Sequence, residues 1–291
     1  ENTMVNSHLR VSRKGRFNIF PNTRAKIIFY VAISTAYLLV VFILGITMNA
    51  DKYAVNYSLK FISPCLDHLF GTDFMGRDMF WRCIKGLSNS ILIGILASII
   101  SSFIALVFGV SSAIIGGKYD KFINWCVDLC MGIPHLILLI LISFMLGRGT
   151  VGVTVAVAVT HWPSLTRLVR AEVLQVRSSQ YVQAAYKMGK NKFEVAVNHI
   201  IPHVLPVYLI GVVLLFPHAI MHEASITFLG FGIPAEVPAI GVILSEAMNH
   251  ITTGKWWLAV FPGVMLLSVV ILFDVIGENL KILINPNSGN Q

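Results

Sequence analysis

Six stretches of roughly twenty mostly apolar residues, near 27–48, 89–115, 122–146, 151–170, 200–222 and 256–280, dictate what this chain can become. A span of about 20 such residues crosses a hydrocarbon core of about 30 Å as a helix. In lipid, a backbone that does not pair with itself leaves polar groups that nothing solvates. The expected fold is therefore an all-α membrane protein with six transmembrane helices. Composition agrees: 56% of the residues are hydrophobic and 12% charged, against about 25% charged in ordinary soluble domains. The first stretch is too long for a signal-peptide core, and no small-x-small cleavage site follows it, so it reads as a retained anchor.

The net charge of +8 raises nucleic acid as a partner. With the apolar runs removed, too little basic surface remains for a phosphate-tracking groove, and that class is excluded. The basic residues instead orient the chain. Arg10, Arg13, Lys14, Arg16, Arg24 and Lys26 precede the first stretch, Lys118 and Lys121 precede the third, and Lys281 follows the last. Arg167, Arg170, Arg177, Lys187, Lys190 and Lys192 cluster between the fourth and fifth. Both termini are thus expected in the cytoplasm, with tails at 1–26 and 281–291, an extracytoplasmic segment at 49–88 and a five-helix core at 89–280. Cys65, Cys83, Cys126 and Cys130 form no C-x-x-C pair. A Cys65–Cys83 disulfide on the outer side is left open, and the other two read as buried apolar residues.

Between the fourth and fifth stretches lies a polar island, "QAAYKMGKNKFEVAVNHIIP", at 183–202. As a helix over 180–199 it puts Val182, Tyr186 and Phe193 near one face and Lys187, Lys190 and Glu194 toward water. Gly189 falls in its middle, where it implies a bend or a close backbone approach. "QAAYKMG" with "IIP" following resembles the EAA motif of permease subunits of binding-protein-dependent ABC importers. There the motif marks the cytoplasmic coupling helix that docks on an ATPase subunit. Gln183 stands where that family most often has Glu.

By that resemblance Gln183, Ala184, Ala185, Gly189, Ile200 and Pro202 belong to the ATPase-coupling surface, with Pro202 breaking the helix away from span five. "GTDFMGRD" at 71–78, "HEASITFLGFGIP" at 222–234 and the closing segment at 256–280 are similar to the dipeptide, oligopeptide and nickel permease group. The resemblance covers most of the chain from residue 66 onward. It implies a type I importer fold, a second homologous permease, two ATPase subunits that hold ATP and Mg, and an extracytoplasmic binding protein. It implies no cofactor on this chain, no catalysis by it, and residence in a prokaryotic plasma membrane. Peptides are the expected cargo, with nickel or a metal chelate as the alternative.

In physical terms Asp73 and Asp78, flanking Arg77, can hold a tight turn containing Gly71 and Gly76 by charge-assisted hydrogen bonds. Asp128, early in the third stretch, can pair with a basic group or reach the interface. Ionisable groups at membrane depth mark function by default, which singles out His135, His161, His218, His222 and Glu223 as candidates for a pathway or gate. His218 and His222, four apart on one helix face, have a spacing that can hold a transition metal with Glu223 nearby.

Two other classes compete with an importer subunit. A channel or secondary transporter would need midplane acidic groups for ion coupling, in which the spans are poor. An intramembrane enzyme would need a third clear ligand beside His218, His222 and Glu223. Phosphate-loop chemistry has no place here, since "IIGGKYD" lacks the upstream Gly and the residue after Lys118 is Tyr119.

Overall fold

A computed structural model describes residues 23–284. The tails expected at 1–26 and 281–291 therefore lie largely outside the described residues. Helix α1 spans Thr23–Thr47, and a loop with two short 3-10 turns leads to α2, Met79–Ile115. Ten residues longer at its start than the apolar run beginning at 89, α2 is started by Asp78, whose carboxylate accepts from the Phe80 and Trp81 N–H groups. This satisfies two of the amide donors that a helix start leaves unpaired.

The third apolar stretch is not one helix. It forms α3, Gly117–Gly132, and α4, His135–Met145, bent by 96°. Pro134 pushes the preceding Ile133 out of the helical region (φ −86°, ψ 136°), as a proline ring does to its predecessor. Next comes α5, Gly149–Arg177, entered through Gly147, Arg148 and Gly149, all at positive φ. The polar island forms α6, Gln180–Lys187, and a short α7, Lys192–Val195, which runs through a π-helical turn, Ala196–Ile200, into α8, Ile201–Phe228. Two more helices follow, α9 at Ile240–Met248 and α10 at Trp257–Ile284. Among the described residues there is no β-strand, only a bridge between Thr72 and Asp78.

Among the described residues four helices are long and apolar enough to cross a membrane: α1, α2, the continuous stretch Lys192–Phe228, and α10. The bent α3–α4 pair qualifies as a fifth, broken span. The fourth expected span, α5, has the length but not the apolarity, because it carries Thr154, Thr160, His161, Ser164, Thr166, Arg167 and Arg170. It is the central helix, packed on α2, α4 and α8. Protein rather than lipid surrounds most of it, so polar side chains on it cost less.

Lipid tails are as apolar as the side chains, so helix association rests on close packing and interhelical hydrogen bonds. At the α1–α2 contact a Cβ on Gly45 would sit 2.2 Å from the Ser88 Cβ. Across that approach Lys85 Nζ donates to the Gly45 carbonyl at 2.9 Å and Ser88 Oγ to the Phe42 carbonyl at 3.1 Å. Phe216 of α8 stacks on Phe273 of α10 with centroids 3.7 Å apart. One end of α5 is tied by charge: Arg170 makes a two-pronged bond to Asp120 at 2.6 and 2.7 Å, and Arg177 donates to the Ala113 carbonyl at 2.7 Å. Asp128 pairs with Arg167 on an exposed surface. All four cysteines are free, so Cys65 and Cys83 are not bridged: one is exposed and the other buried in α2.

Candidate functional site

Three helices bring histidines to one point. The break after Pro134 places His135 at the first turn of α4, His161 projects from the middle of α5, and His222 from the last third of α8. Ring centroids lie 4.7 Å apart for His135–His161, 4.4 Å for His135–His222 and 5.1 Å for His161–His222. They border an open cavity of about 320 Å³, also lined by Thr160, Ser164, Leu215 and His218.

His161 Nδ1 lies 2.9 Å from the Val157 carbonyl. A carbonyl only accepts, so Nδ1 carries the proton and Nε2 presents a lone pair. That Nε2, like the Nε2 of His135, is buried without a hydrogen-bond partner among the described residues. Glu223, expected beside His218 and His222, does not join them. It is fully buried, and its Oε1 accepts from Thr227 Oγ1 at 3.1 Å. Successive residues on a helix point about 100° apart, which carries Glu223 off the cavity face that its neighbour His222 occupies.

The Gly71–Asp78 turn gathers a second polar site. Asp73, 2% exposed, accepts from the Met75 and Arg77 N–H groups, from Arg77 Nε at 2.6 Å and from Arg82 Nη1 at 3.1 Å. Glu246 of α9 receives Arg77 at 3.2 Å and Arg82 at 2.5 Å. The expected Asp73–Arg77 bond is present. Asp78, expected to share Arg77, instead caps α2 and meets His68 Nδ1 at 2.8 Å. Gly76 has φ +74°, and a Cβ there would sit 1.8 Å from the Asn56 carbonyl oxygen. Sequence reasoning missed Arg82 and Glu246. Arg82 precedes the apolar run that begins at 89, and only the structure extends α2 back to include it.

The polar island is not the single helix expected over 180–199. α6 stops after eight residues in a Schellman motif: Gly189, at φ +83°, donates to the Tyr186 carbonyl, and Lys190 donates to that of Ala185. Gly189 is thus the terminator, and nothing lies within 4 Å of the position its Cβ would take. Asn191 then caps the next helix by accepting from the Glu194 N–H at 2.8 Å. Val182 and Ala185 are buried against the body, whereas Gln183 and Ala184 face outward. Phe193, expected on the buried face, is 78% exposed. Ile200 is buried, and Pro202, rather than breaking the chain away, is the second residue of α8. The π turn just before it, closed by the Ile201 N–H on the Ala196 carbonyl, absorbs the distortion.

Residues 105–281 match the family of binding-protein-dependent transport system inner membrane components. The chain belongs to that family. Among relatives of this inner-membrane component, the dipeptide transport system permease protein DppC of Bacillus subtilis (strain 168) is 31% identical over 225 residues, covering 77% of this chain and 70% of that one. The oligopeptide transport system permease protein OppC of the same organism is 31% identical over 239 residues, 82% and 75% of the two chains. The probable D,D-dipeptide transport system permease protein DdpC of Escherichia coli (strain K12) is 30% identical over 241 residues, 83% and 80%. In three dimensions the chain superposes on a subunit of the MetNI methionine ABC transporter in an inward-facing conformation, with a TM-score of 0.59 and 17% identity. That match covers 71% of this chain and 98% of the other. The fold is that of a type I ABC importer permease, as the polar island and the loop motif led the sequence to suggest. The family match spans the three clustered histidines and the polar island; the Gly71–Asp78 turn lies before it.

Proposed function

We propose that this permease is one of two homologous membrane subunits of an ATP-driven importer of di- or oligopeptides. The peptide cargo follows from the names of the three relatives. Two ATPase subunits hold ATP and Mg and supply the energy, an extracytoplasmic binding protein delivers the peptide, and this chain contributes no cofactor or hydrolytic chemistry. It sits in a prokaryotic plasma membrane with both termini and the polar island in the cytoplasm.

One geometric observation carries the coupling role. The eight-residue α6 sits between α5 and the Lys192–Phe228 helix, closed off by Gly189, with Tyr181, Gln183, Ala184, Lys187 and Met188 exposed. It is short and outward-facing, and both its ends lead into helices of the cavity. A partner that grips α6 therefore pulls on α5 and α8, which carry His161 and His222. The weight falls on Gln183 and Ala184 as contact residues, and on Val182, Ala185 and Ile200 as the seat beneath them.

The test is peptide uptake into vesicles holding the four membrane and ATPase subunits, with binding protein added. Gly189→Trp forces a bulky side chain into a left-handed conformation that costs an L-residue about 1–2 kcal/mol, and it projects the indole onto the docking side. ATP-driven uptake is expected to fall at least tenfold while the variant still inserts and assembles. Undiminished ATP-driven uptake by that variant would overturn the coupling role, and uptake by this chain alone without ATP would replace the importer with a secondary transporter.

A further inference from the structure

We infer that His135, His161 and His222 form a binding site for one divalent transition-metal ion, open on one side to the cavity between α4, α5 and α8. The inference does not rest on the peptide reading. One ring nitrogen from each histidine lies within 4.8 Å of one from each of the others. A metal–imidazole bond of about 2.0–2.1 Å sets neighbouring ligand nitrogens roughly 3–3.4 Å apart. Closing the gap takes a movement of about 1.5 Å, which side-chain torsions supply.

Two features distinguish this cluster from packed core histidines. First, His161 Nε2 and His135 Nε2 are buried and have no hydrogen-bond partner among the described residues. His161 is 7% exposed, and buried ring nitrogens normally find partners. Second, His161 is already prepared as a ligand. Its Nδ1–H is held by the Val157 carbonyl, the outer bond that fixes tautomer and ring direction in metal-bound histidines. Three neutral imidazoles with no carboxylate among them suit zinc, nickel, cobalt or copper and disfavour magnesium or calcium. Three protein ligands with the remaining position facing a cavity is also the arrangement of a metal that exchanges a further ligand, rather than of a closed structural site.

The ligands come from three helices, so an occupied site ties the half-span α4 to both helices that flank α6. The shared chemistry is an ion with free coordination positions, reaching the cavity as the hydrated ion or within a small chelate.

The test uses the full-length chain, purified without a histidine tag and held in lipid nanodiscs. Ni2+ is titrated as the hydrated ion and, separately, as its iminodiacetate complex, which leaves three positions open. Co2+ serves as a spectroscopic probe. The expected result is one ion per chain with nitrogen-ligand-field absorption, from one or both forms of the metal; which form binds identifies the source. His135→Ala, His161→Ala and His222→Ala should each weaken binding at least tenfold, and His203→Ala, away from the cavity, should leave it unchanged. His161→Gln, which keeps a polar side chain, guards against loss of folding and should weaken binding equally. No stoichiometric binding by the native chain overturns the site. So does binding that survives His161→Ala and His161→Gln but is lost in His218→Ala, which would assign the metal to the α8 pair alone.

Discussion

The charged junction at Asp73, Arg77, Arg82 and Glu246 and the histidine cluster at His135, His161 and His222 are built alike and finished differently. Each gathers polar side chains from segments far apart in sequence into an otherwise apolar body. At the junction the charges are answered: Asp73 takes two amide donors and two guanidinium groups, and Glu246 takes the same two guanidinium groups. At the cluster two ring nitrogens are buried without a partner among the described residues. A buried network whose members satisfy one another holds a fold together. One that leaves ring nitrogens idle beside an open cavity is a place for something else to bind. Burial alone does not separate the two; the completeness of pairing does.

Three substitutions sharpen that contrast. The largest effect is expected from Arg82→Met, which removes one of two cations serving two carboxylates, with Asp73 buried. Breaking a buried ion network by deleting one partner costs about 3–5 kcal/mol, and thermal unfolding of the detergent-solubilised chain should report it directly. Next is Gly76→Val, which places a β-branched residue at φ +74° with its Cβ against the Asn56 carbonyl. About 2–3 kcal/mol is expected, read in the same assay, together with faster proteolysis of the loop at 49–78. The smallest effect on stability should come from His161→Phe, an apolar ring of similar shape that gives up the Nδ1 bond to the Val157 carbonyl and the 3.2 Å contact with Thr160 Oγ1, together worth about 1 kcal/mol. If that variant unfolds as early as Arg82→Met, the histidines are structural and the contrast fails.

Much of the architecture could be read from the residues, and what could not has identifiable causes. Apolar run length located a helix or helix pair at every expected span, because in lipid the backbone has no other way to satisfy itself. The third stretch reads as one helix although it holds Pro134, and nothing in the sequence gives the 96° between α3 and α4, which depends on what α4 packs against. Gly189 was legible and misread. A Gly followed two residues later by Asn191, with Glu194 three further on, is an end-then-start signal, and a single helix across it should have been resisted. The partners of the loop motif were not legible, since Glu246 lies 164 residues beyond Arg82 and only the fold brings α9 to α2. The meeting of the histidines depends on the rotation of three separate helices about their axes, which periodicity in any one of them does not set. The pairing of His218 with His222 was visible because it is local; the convergence of His222 with His135 and His161 is not.

The π turn Ala196–Ile200 has a consequence for angle rather than distance. A π-helical turn accommodates one residue more than an α-helical turn, so everything beyond it is rotated by about 100° relative to an uninterrupted helix. That offset sets which way His222 points when Lys192 and Phe193 face the far end of the same rod. Deleting one residue between 196 and 200 would let the turn relax to ordinary α geometry. That deletion removes the surplus residue and the offset together, so His222 keeps its line with His135 and His161; α geometry through the turn with every residue kept would swing it about 100° away. The chain thus stores the alignment of its two ends as a phase, held by the π turn that takes up one surplus residue.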